Sequence, residues 1–455
     1  MPRSIALTWL VVVTSGCFDD PAPADRPTDE LIADLRAADP AIRWSAASAL
    51  AERADATAAV EPLAAAAGAD DERVREAVAR ALGRIGVPAV GPLLVARDGA
   101  GEARDRFEDA LQGIASELDE DAILTLLSSP DRATRVFALE QRRELRDPRA
   151  VPPLLALSSD EDAVVRILTV RSFASLREVR VFDALTSLLE RDEDSDVRAE
   201  AALALGVLRD ARAVEPLLAA LDRTGQADRV RTDAIAALGS LGDPRAVPRL
   251  GELLDDESVG GDAALALGSI GEAALGVLLD AFTAGSNEFP GPVGEALMAI
   301  GAPAVEPLAQ LVESRRYPAW ARAAQVLGRI GDPRGAPALL AVLASHEGFD
   351  RSRAAAALAG IEDPAVESAL LAAFEAGDHP AIAGAHRFFV RRGTAGTEDR
   401  LLEALRKEGS VSMAEALLNC GNARLAEGAR AWAAGEGYEI HDLPMMGGGP
   451  AWGGR

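Results

Sequence analysis

Aromatic residues make up only 4% of this 455-residue chain, and lysine occurs once, at Lys407. A chain so short of large side chains lacks what fills the core of a compact enzyme, although its length allows a sizeable apolar interior. Cysteine occurs twice, at Cys17 and Cys420, too few for a disulfide framework. The four histidines, His346, His379, His386 and His441, have no second ligand type at metal spacing. His379 and His386 are seven residues apart, two turns of one helix, which is too far to share a zinc ion. Acids outnumber bases, 72 against 47, and the formal charge of -25 repels phosphate backbones, which argues against nucleic acid as a partner. No Gly-rich phosphate loop occurs, and the recurring Leu-Gly-x-Ile/Leu-Gly text reads as a helix terminus. No catalytic residue, metal ligand or cofactor is therefore expected.

What the chain has in abundance is small apolar residues in a repeated order. From Val197 to Leu208 the residues Val197, Ala201, Ala202, Leu205 and Leu208 fall on one helical face, with Arg198 and Glu200 on the other. Asp210-Ala211-Arg212 breaks that pattern. It resumes over Ala213 to Leu221, with Pro216 early in the segment, where a missing backbone donor costs least. The same helix, turn and helix return from Val74, Val230 and Trp320. Gly242, Gly271, Gly301 and Gly331 stand 29, 30 and 30 residues apart, each where a helix should end in the left-handed conformation. A period near thirty with two helices per unit predicts an all-α fold, an α-solenoid of about thirteen units.

A second regularity opens each unit, an Asp four residues before an Arg: Asp39/Arg43, Asp71/Arg75, Asp131/Arg135, Asp162/Arg166 and Asp194/Arg198. Stacking turns these into two structural rows, in which each guanidinium reaches a carboxylate or turn carbonyl of its own or the next unit. Near Gly101 and Asp105 the rows are interrupted, and after Arg231 they fade: Asp256 is followed by Gly260, and the next two pairs become Ser286/Pro290 and Arg316/Trp320. The Asp-x-x-apolar-Arg, Ala-Leu-Gly and Asp-Pro-Arg-Ala-Val text resembles the HEAT family, in particular the HEAT-like repeats also found in phycobilisome bilin lyases. That resemblance covers roughly Asp29 to Ile440. It implies a scaffold that holds partners, and it implies architecture far more than activity.

Four segments follow in order. Residues 1–16 carry Arg3, an apolar run from Ile5 to Val13, and Thr14-Ser15-Gly16 before Cys17. This resembles a lipoprotein signal peptide, with Cys17 as the lipidated residue, although Thr14 stands where Leu or Val is usual. The run is well short of the ~20 residues needed to span a bilayer. Residues 17–28 read as a Pro/Ala/Asp tether, residues 29–440 as the solenoid and residues 441–455 as a disordered Gly-rich tail. By resemblance to enterobacterial lipoproteins, Phe18 rather than Asp after Cys17 points to the periplasmic face of the outer membrane. Within the solenoid, Phe173 and Phe182 should fill space that Ala leaves elsewhere, Ser286 to Pro292 should bulge, and Phe388 and Phe389 should close the array.

Arg315-Arg316-Tyr317-Pro318-Ala319-Trp320-Ala321-Arg322 concentrates arginine and aromatics where the rows disappear. Arg, Tyr and Trp are enriched at binding hot spots. Arg315, Arg316, Tyr317, Trp320 and Arg322 are therefore candidate partner contacts, against a reading in which Trp320 packs between repeats. The expected function is a lipid-anchored scaffold for protein–protein interaction in the bacterial cell envelope. The alternatives are an accessory or assembly factor for an envelope enzyme, or a lyase-like enzyme.

Overall fold

The computed structural model describes residues 26–53, 56–68, 71–99, 104–141, 147–176, 178–223, 228–285, 291–344, 348–441 and 451–453. Among them are 28 α-helices and no strand. The fold is an all-α solenoid, and 28 helices at two per unit make fourteen units where the repeat text suggests about thirteen. The segment from which the repeat was read forms helix Ser195–Leu208, a 3-10 turn at Ala211–Ala213 and helix Val214–Asp222. Val197, Ala201, Ala202 and Leu205 are fully buried, as their spacing requires.

The packing unit is displaced from the sequence unit by one helix. Phe182–Arg191 lies along Ser195–Leu208, and Val305–Ser314 along Ala319–Ile330, whereas the two helices flanking each 3-10 turn touch much less. Each hairpin therefore encloses the turn that carries the Asp of the Asp/Arg pair. The 3-10 turns join one hairpin to the next. Their last residue, such as Ala150, Ala213, Ala246 or Ala304, is fully buried, which leaves no room there for a larger side chain.

The two glycines of the repeat do different work. The second ends the helix: Gly242, Gly271, Gly301 and Gly331 have φ of 67°, 88°, 72° and 72°, a region costly for residues with a Cβ. The first lets neighbouring hairpins touch. A Cβ on Gly206 would stand 2.8 Å from the Cα of Ala237, and one on Gly239 or Gly268 would stand 2.9 Å from the Cα of Ala266 or Ala296. The helices Ser195–Leu208, Asp228–Leu241, Gly260–Ile270 and Gly291–Ile300 thus pack backbone against backbone.

The chain forms two compact units, one ending at Leu176 and the other beginning at Arg177. In the first, Phe107 is fully buried on Arg104–Glu117, where the regular text lapses, and Phe173 fills the core of Ala163–Leu176; Gly101 lies outside the described residues. In the second, Phe182 is buried, and Phe374, Phe388 and Phe389 form an aromatic cluster near the end of the array, with centroids 4.7 and 5.3 Å apart. Cys420 is buried at the end of Val411–Leu418 and donates to the Leu417 carbonyl. Of the segment expected to be a disordered tail, residues 441 and 451–453 are described, and they are held to the last repeats. Trp452 and Gly453 donate their backbone N–H groups to the carbonyls of Cys420 (2.7 Å) and Val390 (3.1 Å).

Candidate functional site

The Asp and Arg of each pair serve the same turn. The Asp caps the helix: Asp39 accepts from the N–H of Ala41 (2.8 Å), Asp71 from Arg73 (2.9 Å), Asp131 from Thr134 (2.8 Å), Asp162 from Val164 (2.9 Å) and Asp194 from Asp196 (2.8 Å). The Arg reaches back to the carbonyls five and six residues earlier. Arg43 donates to Ala37 (2.8 Å) and Ala38 (2.9 Å), Arg135 to Ser129 (3.2 Å) and Pro130 (2.8 Å), Arg166 to Asp160 (2.8 Å) and Glu161 (3.2 Å), and Arg198 to Asp192 (2.8 Å) and Glu193 (3.1 Å). For Arg75 the corresponding residues, 69 and 70, lie outside the described set. Links to the next unit are carboxylate bridges, Arg135 to Asp160 at 2.9 Å and Arg132 to Asp162. The Arg132 guanidinium holds the Asp162 carboxyl below its usual range.

Where the Arg is lost, the turn is held differently. At Gly260 an added Cβ would lie 2.5 Å from the carbonyl oxygen of Leu254, six residues back, so the chain closes onto the space a guanidinium would need. Arg231 bonds forward to Asp256 (2.5 Å) and Ser258 (3.1 Å). A second row was hidden in the Asp-x-Arg text of the 3-10 turns. Asp147, Asp210, Asp243 and Asp332 cap the 3-10 turns and bind the Arg two residues on, at 2.7, 2.6, 2.8 and 2.7 Å. Hydrogen bonds from those arginines hold all four carboxyls below their ordinary range. Arg245 and Arg334 also reach the preceding 3-10 turn, at the carbonyls of Ala211 (2.8 Å) and Ala302 (3.1 Å). These rows are structural.

The proposed contact stretch divides into an inside and an outside. Trp320 and Arg322 are each only 2% exposed, which corrects the reading of both as surface contacts. Trp320 sits in the Ala-rich core of Ala319–Ile330, where its neighbours leave room for an indole. Arg322 points to the end of Leu275–Ala284, donating to the carbonyls of Gly285 (2.7 Å) and Phe282 with its guanidinium 4.9 Å from the Phe282 ring centroid. Burial lowers its pKa. Arg315 caps Val305–Ser314 in the left-handed region (φ 52°), pairs with Asp350 (3.2 Å) and donates to Ala341 O (3.3 Å).

Outside remain Arg316, exposed, and Tyr317, 54% exposed. They are joined by two residues that the sequence reading missed. Phe349, 59% exposed, opens Gly348–Leu358, and Arg353 on that helix places its guanidinium 4.2 Å from the Phe349 centroid and 5.9 Å from that of Tyr317. Tyr317 and Phe349 lie 32 residues apart, at corresponding turns of successive hairpins, and that register was the available signal. Arg316, Tyr317, Phe349 and Arg353 thus make an arginine–aromatic surface on a chain of charge -25. Stacking a guanidinium on exposed rings contributes about 0.5–1 kcal/mol each and keeps the rings in place.

The other candidates are dispersed. Trp44, on the first unit, is exposed. His379 lies 3.3 Å from Glu403, while His386 is buried with Nδ1 2.7 Å from Ala383 O, so the two do not share a face. Burial depresses the His386 pKa. His346, Ser286 to Pro290 and Cys17 lie outside the described residues. Among the described residues, no group of three His, Cys, Asp or Glu side chains could hold a metal ion, and no helix is long and apolar enough to cross a membrane.

The family described as HEAT repeats matches residues 28–115, 120–206, 182–261 and 214–290, more than half of the chain. The chain belongs to the HEAT-repeat family. The PBS lyase HEAT-like repeat matches residues 321–345 of this HEAT-repeat chain, which include most of Ala319–Ile330. No curated protein matches it. Among solved structures it is similar to the complex of CpcE and CpcF of phycocyanin lyase from Nostoc sp. PCC7120, at 21% identity over 56% of this chain and 94% of that one, TM-score 0.32. An engineered protein shares 22% identity over 90% and 98% of the two chains, TM-score 0.28. Kap121p bound to Nup53p shares 15% over 91% and 53%, TM-score 0.44. These likenesses are of fold alone.

Proposed function

We propose that this HEAT-repeat chain is a membrane-tethered scaffold of the bacterial cell envelope that holds a protein partner at the Tyr317–Phe349–Arg353 surface. The observation that carries the reading is the exposure of two large aromatic side chains beneath one guanidinium, in a chain with few aromatics. Covering one such ring contributes about 1.5–3 kcal/mol, so the pair is a sizeable anchor for a partner. The exposed Arg316 favours an acidic or apolar-acidic contact on that partner. An accessory or assembly factor for one envelope enzyme is the same reading with a single client, whereas a lyase-like activity has no observation in its favour.

The tether rests on residues 1–28. A short apolar run, small residues and Cys17 support lipidation at Cys17, with the following Pro-rich segment as spacer and the periplasmic face of the outer membrane as the location. Metabolic labelling with a fatty-acid probe should mark wild type, and Cys17→Ser should release the chain to the soluble fraction. Wild type that takes up no label would remove the tether from the proposal and leave the scaffold to be judged on partner capture.

A further inference from the structure

At the end of the second unit one clamping arginine is missing, and the C-terminal segment takes its place. The cap of Ala423–Glu436 is Asn422, so the Arg of the regular pair would stand at residue 426, where the sequence has Ala. Arg43, Arg166 and Arg198 each donate to the carbonyl six residues back, at Ala37, Asp160 and Asp192. The carbonyl six residues before Ala426 is that of Cys420, and it accepts from the backbone N–H of Trp452 at 2.7 Å. Gly453 then donates to the carbonyl of Val390 (3.1 Å), in the last turn of His386–Arg392, where carbonyls have no donor within the helix. The two acceptors lie on one side of a packed pair, His386–Arg392 against Val411–Leu418. The fit is close. A Cβ on Gly393 would collide with the backbone nitrogen and Cα of Gly453. A second anchor lies at His441, whose carbonyl accepts from Asn419 Nδ2 (3.0 Å) and whose N–H donates to Glu415 (3.3 Å).

We infer that this groove is a binding site for an extended peptide, filled here by the chain's own residues 451–453. What it recognises is mostly backbone: the carbonyls of Cys420 and Val390 take two successive N–H groups, as peptide-binding surfaces commonly do with main-chain bonds. The second residue of the occupant has φ of 68°, which selects glycine. Gly453 also stands on the wall of a pocket of about 660 Å³ lined by Pro364, Val366, Phe388, Arg391 and Arg392, so a longer occupant has room to continue. Covalent attachment gives residues 451–453 an effective concentration on the order of mM, against which a free peptide must compete. The site is therefore closed to other peptides until the segment leaves. The inference is independent of the Tyr317–Phe349–Arg353 surface.

The test uses the full chain and a fluorescent peptide of residues 449–455, Gly-Pro-Ala-Trp-Gly-Gly-Arg. A control peptide carries proline in place of the glycine after Trp, which removes one N–H and forbids a positive φ. Trp452→Pro in the chain removes the N–H that meets Cys420 and leaves the groove itself unchanged. By fluorescence anisotropy the peptide should bind Trp452→Pro at least about tenfold more tightly than wild type, and the control peptide should bind that variant at least about tenfold more weakly. Adding Gly393→Ala to Trp452→Pro should abolish binding. Adding Gly377→Ala should not, because its φ of 69° imposes the same backbone cost while nothing lies within 4 Å of its Cβ. In wild type the amides of Trp452 and Gly453 should exchange at least about tenfold more slowly than in the free peptide. Equal binding by wild type and Trp452→Pro, equal effects of Gly393→Ala and Gly377→Ala, or unprotected amides at Trp452 and Gly453 would overturn the inference.

Discussion

Gly206→Ala tests the close approach of neighbouring hairpins with one methyl group. In an ordinary helix the exchange stabilises by about 1 kcal/mol through backbone entropy. Here the new Cβ would lie 2.8 Å from the Cα and 2.9 Å from the Cβ of Ala237, against the ~3.5–4.0 Å of a relaxed carbon contact. Neither obstructing atom can move by changing rotamer, so the two helices must part. Overpacking of this kind costs about 1–3 kcal/mol, and with an unyielding neighbour the upper value applies. Against the propensity gain the net loss is about 2 kcal/mol. Gly113→Ala is the control, because no atom lies within 4 Å of its Cβ and only the gain of about 0.5–1 kcal/mol remains. A solenoid need not unfold as one cooperative block, so the assay is native-state hydrogen exchange read helix by helix. Amides of Ser195–Leu208 and Asp228–Leu241 should lose protection by about thirtyfold in Gly206→Ala, and none should be lost in Gly113→Ala. Unchanged or increased protection in Gly206→Ala would show that the helices do not meet backbone to backbone.

Arg166→Ala removes a buried guanidinium from two turn carbonyls and should cost about 1.5–3 kcal/mol, read as faster exchange confined to Ala163–Leu176 and its partner helix. Arg231→Ala should act through Asp256, whose carboxyl is held below its ordinary 3.8 first by the hydrogen bond from Arg231. A depressed carboxylate stabilises above its unfolded value and loses that contribution as pH falls through the folded one. The difference between Arg231→Ala and wild type in thermal melts should therefore be constant from pH 7 to about 4 and shrink below it, and a difference that grows on acidification would refute the assignment.

The repeat made the helices legible, because apolar residues at helical spacing and a glycine each thirty residues are local signals. Gly242 and Gly331 take the left-handed conformation their place predicts. The identity of the packed pair was not legible: both turns of the repeat carry Asp and Arg, and only contact distinguishes the turn inside a hairpin from the turn between hairpins. The Arg row was correctly sought at turn carbonyls, yet the clamp of Asp210 on Arg212 passed as turn text because its partner is two residues away rather than four. Trp320 and Arg322 were misread for a physical reason. In a core of alanine one indole finds space, and a guanidinium can be buried when backbone carbonyls await it, neither of which composition reveals. Phe349 and Arg353 were missed because a site built across two turns is separated by one whole repeat in the chain.

Partner binding at the aromatic–arginine surface is open to a direct test. A photoreactive benzoylphenylalanine in place of Phe349 tests it in intact cells, with the same residue in place of Val95, exposed in the first unit, as the control. One discrete crosslinked species is expected from position 349, absent from position 95 and abolished by Arg353→Glu with the melting curve unchanged. No crosslink at 349, the same pattern from both positions, or a crosslink indifferent to Arg353→Glu would contradict it.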